Sequence, residues 1–458
     1  LSRGLGDVYK RQFKNLAPNR RYTIRQSDAV TAAKKTHIPA PLFRAEESLI
    51  TARHWEMPFN DFRLQPLLPN RQSQWGPSLA CGDIDGDGDH DFFIGGCAGY
   101  LGSLIINEGA GKYITRPFTA ATAHKGSEDL GALFFDCDGD NDLDLVVASG
   151  SVEHPPANPS YADRLYLNNG RGSFVAAKSG TIPIGLDSSG ALAAADFDRD
   201  GDLDLFIGGR SVPGAYPTAS RSRILLNSGG KFTDITTRFP ALLEKRIVTG
   251  AIWSDADGDG WIDLLLSTEW GPIRFLRNDK GTLVDATKTA GLSSLLGWWT
   301  GINGADIDHD GDIDILATNF GLNTKYKATA ETPEILFYGD FENSGRKRIV
   351  EAGFEHGACY PHRGFSCSRN AMPFVGTKLK TFHNFALATL PEIYPGTSLG
   401  KSLRVETNTL SSGIFRNDGK GSFTFEPLPG IAQVSPSFGS AFLDASGNGH
   451  PDIFLAQN

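Results

Sequence analysis

Five short stretches of this chain carry aspartates at a spacing suited to gripping a hard cation. They read DIDGDGDHD from Asp83, DCDGDNDLD from Asp136, DFDRDGDLD from Asp196, DADGDGWID from Asp255 and DIDHDGDID from Asp306. Counted from the first aspartate, carboxylates stand at positions 1, 3, 5 and 9. The sets are Asp83, Asp85, Asp87 and Asp91; Asp136, Asp138, Asp140 and Asp144; Asp196, Asp198, Asp200 and Asp204; Asp255, Asp257, Asp259 and Asp263; and Asp306, Asp308, Asp310 and Asp314. Alternate positions of a curled loop point toward one centre. Glycine, usual at position 6, permits the sharp turn, and the carbonyl at position 7 adds an oxygen. Four carboxylates held so close repel one another unless a cation sits among them. Calcium takes about six to eight hard oxygens, and five such ions would nearly cancel the net charge of −9. Calcium at about five sites is therefore the expected cofactor, and in-register recurrence argues against mere solvated turn aspartates. An EF-hand loop opens the same way but needs a glutamate at position 12 between helices. Here position 12 holds Ile94, Val147, Ile207, Leu266 and Ala317, and the flanks are rich in strand formers.

The elements that must position these loops repeat with them. The first aspartates lie 53, 60, 59 and 51 residues apart, about the length of a four-stranded propeller blade with generous loops. A small or apolar run such as ALAAADFD precedes each loop and an apolar run such as LDLFIGG follows it, which reads as strand, tight loop, strand. Between loops come SLIINEGAGKYI, RLYLNNGRGSFV, RILLNSGGKFTDI, IRFLRNDKGTLVDA and GIFRNDGKGSFTF, each a strand, an Asn/Gly turn and a strand. Two weaker copies start at Asp340 and Asp444. In the sixth, Asp340, Glu342 and Ser344 are followed by Arg348 at position 9, where a guanidinium could replace the metal. In the seventh, Asp444, Ser446, Asn448 and Asp452 carry less charge.

Seven copies predict an all-β, seven-bladed β-propeller with calcium loops in the blade hairpins. The spacing breaks after Asp306, so a partly helical insertion over about 360–410 is expected in blade six, with IFRNDGKGSFTF as that blade's outer hairpin. High glycine (53) and proline (25) suit such a turn-rich chain. No apolar stretch is long enough to span a membrane. No basic patch balances the acids, which argues against nucleic acid as a partner.

The copies resemble FG-GAP/VCBS repeats, the blades of integrin α-chain propellers and of many large bacterial surface proteins, over about residues 42–458. The resemblance implies that the loops bind calcium to brace each hairpin. FNDFRLQPLLPNRQSQWGPSLACGDIDGDGD, GWWTGINGADIDHDGDIDILATNFGLNTKY and YPHRGFSCSRNAMPF resemble a bacterial subgroup that pairs such propellers with an ASPIC/UnbV domain. Residues 13–27 look like the last strand of that domain and 28–41 like a linker. Residues 1–12 read as a non-native scar, and the C-terminus as truncated within blade seven. The resemblance implies an exported parent, extracellular or at the cell surface.

Other constellations are weaker. GTSLG around Ser398 matches a nucleophile-elbow pattern, but Pro395 precedes it where a strand is needed. His356, Cys359, His362 and Cys367 are zinc-type residues without a known spacing; Cys359 and Cys367 could instead pair. Glu269, Trp270, Trp298 and Trp299 lie at strand edges that could open on a propeller face as a ligand surface, with packing between blades as the alternative. The expected function is a recognition or adhesion module for a protein or glycan, not an enzyme. The alternatives are a carbohydrate-active enzyme or glycan-binding accessory module on the same scaffold, or a spacer of a large surface protein.

Overall fold

A computed structural model describes residues 49–457. The expectations for residues 1–12, 13–27 and 28–41 lie outside the described residues. The chain is mostly β, built from four-stranded antiparallel sheets with a helical insertion.

The first sheet comprises Leu79–Gly82, Asp91–Ile94, Ser103–Asn107 and Tyr113–Pro117 in sequence order. The second comprises Asp129–Phe135, Asp144–Ser149, Arg164–Leu167 and Val175–Ala176; the third, Ser189–Ala195, Asp204–Gly209, Arg223–Leu226 and Thr233–Asp234. The fourth comprises Val248–Ser254, Asp263–Gly271, Arg274–Asn278 and Leu283–Asp285, with Gly297–Trp298 attached. In each, an Asp loop joins the first two strands and places position 9 at the start of the second.

Each second strand carries an apolar run after its aspartate, and from the second to the fifth sheet that run is covered on both faces. Leu145 and Val147 pack toward the first sheet, whereas Val146 packs toward the third. Phe206 faces the fourth sheet, and Leu205 and Ile207 face the second. Leu265 does the same toward the fifth sheet, opposite Leu264 and Leu266. The first strands are small-residue strands for another reason. They pack against one another in succession from the first sheet to the fifth, and on to Ser437–Leu443. A Cβ on Gly131 would lie 1.8 Å from the carbonyl oxygen of Gly190 in the next first strand, an approach only glycine permits. Together they surround a central cavity of ≈ 240 Å³ lined by Pro77, Leu130, Gly190, Thr249, Thr300 and Phe438. Trp75 meets Phe438 across it, with ring centroids 5.5 Å apart. The arrangement is propeller-like.

The topology departs from expectation after Asp306. The fifth sheet is Gly301–Ala305, Asp314–Thr318, Gly413–Asn417 and Phe423–Pro427. The IFRNDGKGSFTF hairpin thus completes the fifth copy's sheet, with Ile315 opposite Phe415, and not the sixth's. Everything between Thr318 and Gly413 is inserted inside this one sheet. The sixth copy lies there, in a separate sheet ordered Ala358–Pro361, Arg348–Glu355, Glu334–Gly339, Leu403–Thr407. The seventh copy forms a two-stranded sheet, Ser437–Leu443 with Asp452–Gln457. Seven copies therefore give seven hairpins, but among the described residues six sheets line the ring and one is appended. The physical reason is pairing. Leu316 and Ala317 find their partners in Ile414 and Gly413, and the Asp340 hairpin pairs with Leu403–Thr407 instead.

The appended sheet has two apolar faces. Ile335 and Phe337 pack under the helices Phe365–Ala371, Pro373–Leu379, Phe382–Leu387 and Leu390–Ile393. Leu336 and Tyr338 face the ring, meeting Tyr216, Trp270 and Trp298. No helix of the described residues is long and apolar enough to cross a membrane.

Candidate metal centres and binding surface

Each Asp loop is built by its own backbone. The position-1 aspartate accepts amides from the turn it opens: Asp83 from Gly86 and Gly88 at 2.8 and 3.0 Å, Asp136 from Gly139 and Asn141 at 2.8 and 2.9 Å. Asp196 accepts from Asp200 and Gly201 at 3.0 and 3.1 Å. Position 5 receives the amide two residues on, as in Asp200 from Asp202 at 3.0 Å. These bonds curl the loop with its carboxylates inward.

Position 9 has a second task. Asp144 accepts the amide of Cys137 in its loop and that of Asn168 on the third strand, at 3.2 and 2.8 Å. Asp91, Asp204 and Asp263 bridge the corresponding amides in their own sheets. Burial pushes Asp204 and Asp263 up to about 7; the amides of Asn227 and Asn278 oppose this, and the loops' other carboxylates add to it. The position-3 carboxyls of Asp85, Asp138, Asp198 and Asp257 are also raised, by desolvation first and by neighbouring carboxylates.

The loops fit a hard cation. Oxygens of Asp83, Asp85 and Asp91 lie within 4.8 Å of one another, as do those of Asp136, Asp138 and Asp144, of Asp196, Asp198 and Asp204, and of Asp255, Asp257 and Asp259. Buried Oδ1 atoms of Asp85, Asp198 and Asp306 have no hydrogen-bond partner. A donor set made only of oxygens, some of them buried and without a partner, matches what calcium takes.

The fifth loop differs. Arg416, on the strand Gly413–Asn417, reaches its aspartates and lies 3.6 Å from Asp308 and in contact with Asp314. A guanidinium does stand in a loop, but in the fifth and not the sixth. Arg348 instead donates to the carbonyl of Ala371 at 3.2 Å, because the sixth hairpin packs beneath the inserted helices. Asp340 and Asp444 keep the position-1 amide bonds, from Gly345 at 2.7 Å and Gly449 at 2.8 Å.

Sequence reasoning saw the Asn of each Asn/Gly turn only as a turn former. In the structure the Asn of the second to fifth sheets is also a staple between sheets. Asn168 Nδ2 donates to the carbonyl of Ile84 in the first loop, at 2.8 Å. Asn227 reaches Cys137 in the second loop at 2.8 Å, Asn278 reaches Phe197 in the third at 2.7 Å, and Asn417 reaches Ala256 in the fourth at 3.1 Å. The signal was in the sequence: in the first five sheets Asn ends the third strand or directly follows it.

The expected aromatic ligand face is not open. Glu269, Trp270, Trp298 and Trp299 are all buried. Trp298 stacks on Phe320 and meets Trp270, with centroids 4.4 and 4.5 Å away. Trp299 packs between the fourth and fifth sheets. Glu269 is held by Arg210 at 2.8 Å and by the Tyr216 hydroxyl at 3.0 Å. The appended sheet covers this edge, which no local pattern could indicate. Beside it a polar cavity of ≈ 640 Å³ remains, bordered by Glu244, Arg246, Trp270, Arg274, Arg404 and Glu406. Cys359 and Cys367 are free thiols, not a disulfide. His362 is engaged by Glu334. Ser398 lies in the helix Gly396–Lys401, where its carbonyl accepts the Ser402 hydroxyl, and Pro395 precedes it without a strand.

Comparison with known proteins agrees with the repeat reading. A family model described as FG-GAP-like repeat matches residues 136–207 and 255–317. Those ranges open on the first aspartates of the second and fourth loops, so the chain contains FG-GAP-like repeats. No curated protein matches the chain. Among solved structures, a lectin of Agrocybe aegerita described as recognising non-reducing terminal N-acetylglucosamine is 16% identical. The match covers 83% of this chain and 86% of that one, with a TM-score of 0.31. BBS1N, solved in complex with ARL6DN, is 14% identical over 67% of this chain and 83% of its own, with a TM-score of 0.33. A thermostable family-43 glycoside hydrolase is 9% identical over 64% and 96%, with a TM-score of 0.28.

Proposed function

We propose that this chain is an extracellular or cell-surface recognition module, a propeller-like ring braced by structural calcium, and not an enzyme. The observation that carries the reading is the recurrence of one donor arrangement in successive sheets, with unpartnered oxygens at Asp85, Asp198 and Asp306. The carboxylates at positions 1, 3, 5 and 9 of each loop would hold the ion. When bound, calcium supplies positive charge that offsets the mutual repulsion of these carboxylates. The chain's own residues do the rest. Position-1 aspartates curl the loops, position-9 aspartates tie second strand to third, and the Asn staples tie each of the second to fifth sheets to the loop before it. In this reading the six ring sheets are the blades, and the appended sheet with its helices is a cap over one edge.

A rigid scaffold of this kind presents loops and clefts to a partner. The cavity beside Trp270 is the recognition surface we assign, for a protein or glycan ligand, because it gathers carboxylates and guanidinium groups in one cleft. The same carboxylates favour the second reading, a carbohydrate-active enzyme, over a plain spacer.

The calcium reading is tested by Asp198→Ala combined with Asp200→Ala. The variant should bind one calcium fewer by isothermal titration and melt lower than the parent in calcium, while the two melt closer together in chelator. Equal calcium stoichiometry in the two proteins would overturn it. The recognition reading is tested on glycan and protein arrays. An Arg404→Glu variant should lose any binding found, and turnover of a bound glycan would decide for the enzyme.

A further inference from the structure

A second cluster of ligand-type side chains lies apart from the Asp loops. His54 and Glu56 come from the segment leading into the first sheet, and Glu128 stands just before the strand Asp129–Phe135. One ligating atom from each lies within 4.8 Å of the other two. Glu128 is 3% exposed. Its Oε2 accepts the amide of Ala98 at 2.9 Å, but its buried Oε1 has no hydrogen-bond partner. That orphan points into the cluster. A Cβ placed on Gly76 would lie 3.4 Å from it, 3.6 Å from Glu56 Oε1 and 3.7 Å from His54 Cε1, so three side chains converge beside a residue that has none. Glu56 Oε2 and Oε1 of nearby Glu153 are likewise buried and unpartnered. Among the described residues no Lys or Arg forms an ion pair with Glu56, Glu128 or Glu153.

The histidine is oriented as a ligand. His54 Nδ1 lies 2.9 Å from the carbonyl oxygen of Gly95. A carbonyl only accepts, so Nδ1 carries the hydrogen and Nε2 of the neutral ring presents a lone pair. That lone pair faces Glu56 Oε1 at 2.7 Å. Two electron-rich atoms so close need a positive charge. A proton would serve that one pair and leave the Glu128 orphan unpaired, whereas a metal ion serves all three groups. An imidazole whose other nitrogen donates to a backbone carbonyl is the usual support of a metal-bound histidine.

We propose that His54, Glu56 and Glu128 form a binding site for a zinc-class divalent ion, separate from the calcium loops. One nitrogen with carboxylate oxygens suits zinc and its first-row neighbours, whereas calcium takes oxygen alone. The bound ion clips the segment before the first sheet onto the start of the second. His54 also borders an open cavity of ≈ 350 Å³, which gives the ion a route in.

The test uses the full chain in excess calcium, so that the loops are filled, loaded with zinc and dialysed. Elemental analysis should find one zinc retained per chain. His54→Ala and Glu128→Gln should each weaken zinc binding by more than about 100-fold, beyond what loss of a mere supporting partner costs. Asp198→Ala with Asp200→Ala should retain the zinc, which separates this site from the loops. Cobalt loaded in place of zinc should give a visible ligand-field band that His54→Ala abolishes. This readout holds even where Glu128→Gln folds poorly. Zinc displaced by calcium in the parent chain, or equal zinc content in parent and His54→Ala, would overturn the site.

Discussion

At the scale of single residues, charge inside a small volume is the organising fact. In the first four loops the position-9 aspartates are buried, accept two amides each and sit beside further carboxylates. In metal-free protein the folded-state values of Asp204 and Asp263 rise to about 7, largely through burial, against about 3.9 for an unfolded aspartate. The folded state then binds the proton more tightly than the unfolded one. Their contribution to stability is complete below about pH 3.9 and is lost as pH rises through 7. In chelator, thermal melts should therefore show stability rising between pH 8 and 6, by on the order of 1 kcal/mol per group, and Asp204→Asn should flatten that rise. The fifth loop makes a contrasting case. Arg416 supplies a fixed positive charge at Asp308 and Asp314, so this loop should bind calcium more weakly than the third. Arg416→Gln should strengthen calcium binding at this loop and lower stability in chelator. Titration calorimetry alongside melting would detect both changes, and an unaltered calcium isotherm would contradict the account. The aspartates themselves were legible in the sequence because their spacing lies within one loop. Arg416 was not, because it stands 102 residues beyond its partner Asp314.

At the scale of elements, one sheet is joined to the next by buried side-chain amides as well as by apolar packing. Asn227 donates to Cys137 across the interface and to Leu203 within its own sheet, and its Oδ1 accepts the amide of Gly230. Asn227→Ala leaves buried carbonyls without donors, at a cost of about 1–3 kcal/mol. It should lower the melting temperature by a similar amount with and without calcium, because no proposed metal ligand is removed. A loss seen only in calcium would show that the staple acts through the loop. The strand pattern was readable here. Uninterrupted runs such as LDLVVA signalled strands covered on both faces, and Val146 against Leu145 and Val147 shows the two faces serving two interfaces. The partner of each strand was readable only while neighbours in sequence were neighbours in space.

At the scale of the whole molecule, the ring and its appended sheet should respond differently to metal removal. In the first four sheets the loop carboxylates converge, and among the described residues no arginine forms an ion pair with them. A site at 100-fold excess of calcium over its dissociation constant adds about 2.7 kcal/mol. Removing calcium should lower the melting temperature of the ring by more than about 5 °C. The appended sheet rests on apolar packing under Phe365, Met372, Val375 and Ile393, and its amide protection from hydrogen exchange should change least. Equal loss of protection in both parts would indicate that they unfold as one.

The sequence by itself determined the carboxylate pattern of each loop, the strand on either side and the rhythm of the hairpins. These depend on contacts within about sixty residues, and each copy repeats the same local solution. Only the tertiary structure decided which hairpin completes which sheet, that Trp270 and Trp298 lie beneath an inserted sheet, and that His54 meets Glu128. Those outcomes turn on hydrogen-bonding edges and buried faces supplied by distant segments. Strand Asp314–Thr318 waits nearly a hundred residues for Gly413–Asn417, and no periodicity within either strand names the other.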